Sequence, residues 1–104
     1  MGACNFITFA EGTDHHKAYA AAVEEAQYEY GHDPYNGTIS TCGLARRQPV
    51  VVQKRFTKKA IDRAYDLAEK DDFGRKWEAR AIDCGLVPHK KGVHMWAFYG
   101  WASC

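Results

Sequence analysis

His32-Asp33, following Gly31, sets an imidazole beside a carboxylate at the start of a turn, two groups that general acid–base catalysis uses. Neighbours in sequence point in different directions, so adjacency makes no hydrogen-bonded dyad, and no nucleophile stands in a recognisable setting. Turn and capping roles account for Gly31 to Asp33, which leaves a small enzyme with a site near His32 as the second alternative. Metal chemistry has as little to build on. Cys4, Cys42, Cys84 and Cys104 never form the C-x-x-C pair by which a tight turn aims two ligands at one zinc ion. Cys84 and His89 lie five apart and Cys42 could join them, but this is a loose collection. His15, His16, His32, His89 and His94 share no ligand spacing, and neither G-x-G-x-x-G nor a Walker pattern occurs. The expectation is a protein that is not an enzyme, holds no metal or cofactor, and keeps its cysteines as free thiols.

Charge is the stronger signal. Residues 1–37 carry six acids and one base, residues 38–61 carry six bases and no acid, and the whole chain sums to only +1. Such asymmetry either marks patches for charged partners or lets two solvated faces attract each other on folding. On the acidic side, Glu24, Glu25, Tyr28 and Glu29 point away from the apolar stripe of a helix. A tyrosine exposed among acids suits a protein interface. On the basic side, Arg46, Arg47, Lys54, Arg55, Lys58 and Lys59 would meet phosphates, with Phe56 available to stack on a base. The pI of 7.7 is low for a dedicated nucleic-acid binder. A host protein, or a protein–nucleic acid complex, is therefore favoured as partner, with nucleic acid bound through 46–59 as the alternative.

The elements that must carry these residues read as follows. Cys4 to Ala10 is β-branched and aromatic and forms a strand. Thr13 or Asp14 caps a helix over 14–30, with Tyr19, Ala22, Val23, Ala26 and Tyr30 on one stripe, and Gly31 ends it. Residues 32–37 are turn chemistry. Thr38 to Cys42 is expected as a strand, Gly43 to Gln48 as a loop, and Val50 to Gln53 as a short edge strand. Thr57 caps a second helix over 57–71 whose inner stripe is Ile61, Ala64, Tyr65 and Ala68. Ala79 to Cys84 forms another strand, with Arg80, Ile82 and Cys84 on one side. Val93 to Ala102 is apolar on both faces and should lie inside the sheet, joined to the preceding strand by the PHKKG turn as an antiparallel hairpin.

The predicted class is α+β: a single two-layer domain over 1–104, with a mainly antiparallel sheet of about four strands and both helices on one face. With 46% hydrophobic and 26% charged residues the composition excludes disorder. No apolar run approaches membrane-spanning length, and no basic-then-apolar leader or lipidation motif is present, so a cytoplasmic protein without membrane contact is expected.

Three segments together resemble a family of small phage and prophage proteins. They are the opening Met1-Gly2-Ala3-Cys4-Asn5-Phe6-Ile7, the stretch Tyr30 to Cys42 (YGHDPYNGTISTC) and the close Phe98-Tyr99-Gly100-Trp101-Ala102. The similarity covers about half the chain, and residues 43–76 lie outside it. It brings no catalytic or binding residues with it. It implies a phage-encoded accessory protein at work in the host cytoplasm, of the kind that inhibits host machinery, including defence systems such as CRISPR–Cas.

Overall fold

The computed structural model describes residues 2–31 and 38–103. β1 (Ala3–Gly12) leads into α1 (His15–Tyr30), whose N-terminus is closed by Asp14: its Oδ1 accepts the Lys17 N–H at 2.9 Å. Gly31 N–H donates the last i→i−4 bond of α1, to the Gln27 carbonyl, and its φ of 77° turns the chain out of the helix. The stretch expected as a strand over 38–42 is instead a 3-10 turn at Ile39–Thr41. The Thr38 hydroxyl accepts the Ser40 N–H and its carbonyl accepts the Thr41 hydroxyl, local bonds that compete with a ladder, while Ile39 is buried beside α1. The loop expected next begins with a short strand, β2 (Gly43–Leu44), and β3 (Val50–Val51) follows. α2 (Lys58–Lys70), β4 (Glu78–Leu86) and β5 (His94–Ser103) complete the chain.

The fold is α+β, built on one mixed five-stranded sheet in the order β1-β5-β4-β2, with β3 beside β4 on the same edge as β2. The long ladders, β1 with β5 and β5 with β4, are antiparallel, and the hairpin through PHKKG forms as expected. β5 is interior. β2 and β3 run parallel to β4.

The helices lie on opposite faces of the sheet, a correction to the two-layer arrangement read from the sequence. Trp96, Phe98 and Ala102 of β5 pack with Ala18 and Ala22 of α1, whereas Ala97 and Tyr99 pack with Ala60, Ala64 and Ala68 of α2. Successive strand residues face opposite ways, so β5 has two apolar faces and each needs a cover. The connections explain which helix goes where. From β1 to β2 the chain crosses the sheet from one edge to the other, and from β3 to β4 it steps back. Right-handed crossovers in opposite directions place their helices on opposite faces.

α2 meets the sheet through three fully buried alanines at four-residue spacing, and Tyr65 of the expected stripe is turned outward. Thr57 precedes α2 without capping it through its side chain, and its hydroxyl accepts a hydrogen bond from Gln53 Nε2 instead. Cys42 and Cys84 are free and buried on opposite faces, so Cys42, Cys84 and His89 form no common centre. Cys4 is disulfide-bonded, contrary to the expectation of free thiols throughout. Spacing along the chain carries no information about which strand ends folding brings together. No helix among the described residues is long and apolar enough to cross a membrane.

Candidate binding surfaces

α1 turns Ala18, Tyr19, Ala22, Val23 and Ala26 to the sheet, and this directs Glu24, Glu25, Tyr28 and Glu29 outward. Tyr28 is 90% exposed. The four residues form two rows at i,i+4 spacing, Glu24 with Tyr28 and Glu25 with Glu29. The Glu25–Glu29 pair repels itself by a few tenths of a kcal/mol, as like charges at that spacing do. Glu25 and Glu29 also border a shallow hollow of about 240 Å³ whose floor includes Phe6, Thr38 and Ile39.

The six basic residues do not form one surface. β2 leaves β4 after Leu44 pairs with Ala79, and β3 rejoins it where Val50 pairs with Ile82, so five residues bulge out opposite Arg80 and Ala81. Arg46 and Arg47 sit exposed in that bulge. Lys54 and Arg55 lie at the other end of β4, where Arg55 bridges to Leu86, and Lys58 and Lys59 occupy the first turn of α2. Six residues of strand, about 20 Å, separate Arg80 from Leu86. Phe56 packs into the core under α2, which removes it as a stacking platform.

The bulge instead brings Arg46 and Arg47 to residues outside the basic stretch. A cavity of about 290 Å³ lies between the bulge and the end of α2, and Arg47, Lys70, Asp71, Arg80 and Tyr99 are among its lining residues. Arg80 and Tyr99 are register partners across β4 and β5 on the α2 face. Asp71 is brought over them by the turn that ends α2. There Asp72, Phe73 and Gly74 take φ of 50°, 56° and 74°, and Trp101 Nε1 donates to the Asp72 carbonyl at 2.8 Å. Asp71 Oδ2 accepts both the Tyr99 hydroxyl, at 2.7 Å, and Arg80 Nη1. The Tyr99 bond first, then Arg80 and the charge of Arg47, hold the Asp71 carboxyl below the usual carboxylate range against its partial burial. Burial, then Asp71, push the Tyr99 phenol up. Burial pulls on Arg80 in the opposite direction, yet its bond to Asp71 and the neighbouring Tyr99 oxygen leave it above its ordinary value.

On the other face His94 Nδ1 lies 2.9 Å from Asp83 Oδ1, which also accepts the Gly85 N–H. The His94 ring lies 5.7 Å from that of Trp96, and His15 at the start of α1 lies 5.7 Å from the same indole. Burial, then the neighbouring His16, push the His15 imidazole down. His94 and Asp83 make the imidazole–carboxylate contact that adjacency in sequence could not. His32 and Asp33 lie outside the described residues. Among the described residues no three His, Cys, Asp or Glu side chains gather closely enough for a metal ion.

Asp71, Arg80 and Tyr99 escape a reading by charge runs because they come from three separate elements. One sign was present: Arg80 shares the inward side of a central strand with Ile82 and Cys84, and a charge there requires a partner. Comparison of the chain with protein-family models, with curated proteins and with solved structures gave no match.

Proposed function

We propose that this chain is a non-catalytic binding protein, a small phage accessory protein of the kind its terminal segments resemble. In this reading it acts in the host cytoplasm by docking the outer face of α1 on a basic surface of a host protein. The observation that supports it most is where the charges stay after folding. Among the described residues the ion pairs are Lys70–Asp66, Arg80–Asp71, Lys90–Glu11 and His94–Asp83, and none joins the acidic first third to the basic 38–61 segment. Glu24, Glu25 and Glu29 therefore face solvent uncompensated around Tyr28. A fold gains nothing from like charges held side by side, whereas a cationic partner does. A surface of this sign fits a channel built for nucleic acid, and occupying such a channel blocks it. A nucleic-acid-guided defence complex is the class of host target with that feature, which makes inhibition the proposed outcome.

The test is paired charge reversal, Glu24→Lys with Glu25→Lys, and separately Tyr28→Ala. These exposed positions should leave stability within about 0.5 kcal/mol of the parent. A tagged parent protein should retain a specific host protein from bacterial extract in a salt-sensitive way, and both variants should lose it. Mobility-shift assays with DNA and RNA at low salt run alongside. Shifts that disappear in Arg46→Ala/Arg47→Ala/Lys54→Ala, with no effect of the α1 variants on anything retained, would replace this reading with nucleic-acid binding.

A further inference from the structure

The cavity beside Arg80 has a charge that its own residues do not balance. Arg47, Lys70 and Arg80 supply three positive charges to its wall and Asp71 one negative, which leaves two. The one carboxylate is already committed to Arg80 Nη1 and the Tyr99 hydroxyl. Arg80 side-chain exposure is only 13%, and its Nε is buried with no hydrogen-bond partner among the described residues. Among the described residues Lys70 pairs with Asp66 alone, at 3.1 Å, a solvent-screened i,i+4 pair that releases readily. A second, open hollow shares Arg47 and Arg80 and adds Arg46 and Arg75 against Glu78. Both hollows owe their existence to the bulge that leaves β4 between Leu44 and Val50.

We propose that this notch binds a phosphate-class oxyanion, with Arg47 and Lys70 as its outer clamps and Arg80 as its inner wall. Once Lys70 leaves Asp66, a dianion matches the two positive charges left on the wall; a simple carboxylate would leave one of them unmatched. Guanidinium groups suit the planar pairs of oxygens that phosphate presents. The volume exceeds that of a single phosphate, and Val50, Leu67 and Ala81 give it an apolar side where an ester's organic part can rest. Arg46 and Arg75 stand where a second phosphoryl group would reach. The phosphates come either from a small organic di- or triphosphate or from the backbone of a nucleic-acid strand. The notch lies away from the α1 face, and the inference stands whether or not that face docks a protein.

The experiment titrates the full chain at low salt with inorganic phosphate, with pyrophosphate and with a single-stranded oligonucleotide lacking terminal phosphates, followed by calorimetry and amide chemical shifts. Saturable binding, tighter for pyrophosphate than for phosphate, is expected, with shifts centred on residues 46–48, 70–75 and 80. Arg47→Ala/Lys70→Ala should weaken it about tenfold or more. Lys54→Ala/Arg55→Ala removes the same charge at the far end of β4 and should leave it unchanged. All four side chains are exposed, so both variants should fold, and circular dichroism confirms it. Binding of pyrophosphate but not the oligonucleotide assigns the small-molecule source, and binding of the oligonucleotide with the same variant pattern assigns the strand. Absence of saturable binding to any probe, or equal weakening by both double variants, overturns the site.

Discussion

Tyr99→Phe deletes one hydroxyl and leaves the buried ring in place, so its effect isolates the Tyr99–Asp71 bond from packing. That bond is 2.7 Å long and ends on a carboxylate. Hydrogen bonds to charged groups contribute about 1.5–3 kcal/mol, but Asp71 keeps 35% of its side chain exposed and water will replace part of what is lost. A loss of ~1 kcal/mol at neutral pH is expected. At about 2 cal/mol/K of unfolding entropy per residue, a chain of 104 residues loses about 5 °C in Tm for each kcal/mol. The pH dependence follows from the direction of the shifts. Asp71 has a depressed folded pKa, so its stabilisation is present above the unfolded carboxyl value of about 3.9 and disappears as pH falls through the folded value. Because Tyr99 is the largest cause of that depression, the gap between parent and variant should be full at pH 7 and close in acid. At the alkaline end the raised Tyr99 pKa works the other way. Its contribution is present below about pH 10 and is lost as pH rises through the folded value, so the gap should narrow there too. Thermal melts followed by circular dichroism from pH 2.5 to about 11 would measure this. Equal Tm values at pH 7, or a difference that does not change with pH, would refute the assignment of Asp71 as the acceptor.

Two further outcomes follow from packing. Gly100→Ala places a Cβ 2.0 Å from the Glu78 carbonyl oxygen and 3.3 Å from the Phe6 ring, and backbone cannot swing aside as a side chain can. β4 and β5 must part where β4 begins, with a loss of about 3 kcal/mol or more in urea titrations; a loss below about 1 kcal/mol would contradict the close approach. Cys84, whose thiol is pushed up to about 12 by burial and then by Asp83, and Cys42, raised by burial, should both resist iodoacetamide at pH 8 in the native protein. Both should be labelled in denaturant by intact mass, and fast native labelling of Cys84 would show that β4 opens.

Local order was largely legible in the residues. The α1 stripe, a cap at Thr13 or Asp14, the Gly31 stop, the PHKKG hairpin and the two-sided alternation of β5 each depend on neighbours within a few positions. The same two-sided alternation already required covers on both faces, although two helices over one sheet also fit a two-layer fold. At Thr38 to Cys42 β-branched residues suggested a strand, but hydroxyl bonds to the nearby backbone and burial of Ile39 made a 3-10 turn.

The sequence by itself determined the α+β class, both helices, the strands β1, β4 and β5, the interior position of β5 and the outward aim of Glu24, Glu25, Tyr28 and Glu29, because helical and strand periodicities decide facing directly. Tertiary structure alone decided three things. It put the helices on opposite faces, since the direction in which each crossover steps depends on strand order. It broke the basic stretch in two, because a five-residue bulge takes the place of two residues on the edge of β4. It gathered Arg47, Lys70, Asp71, Arg80 and Tyr99 around one cavity. Those five residues span more than fifty positions of chain, and only the register that sets Arg80 opposite Tyr99, with the left-handed turn that lowers Asp71 onto both, makes them neighbours.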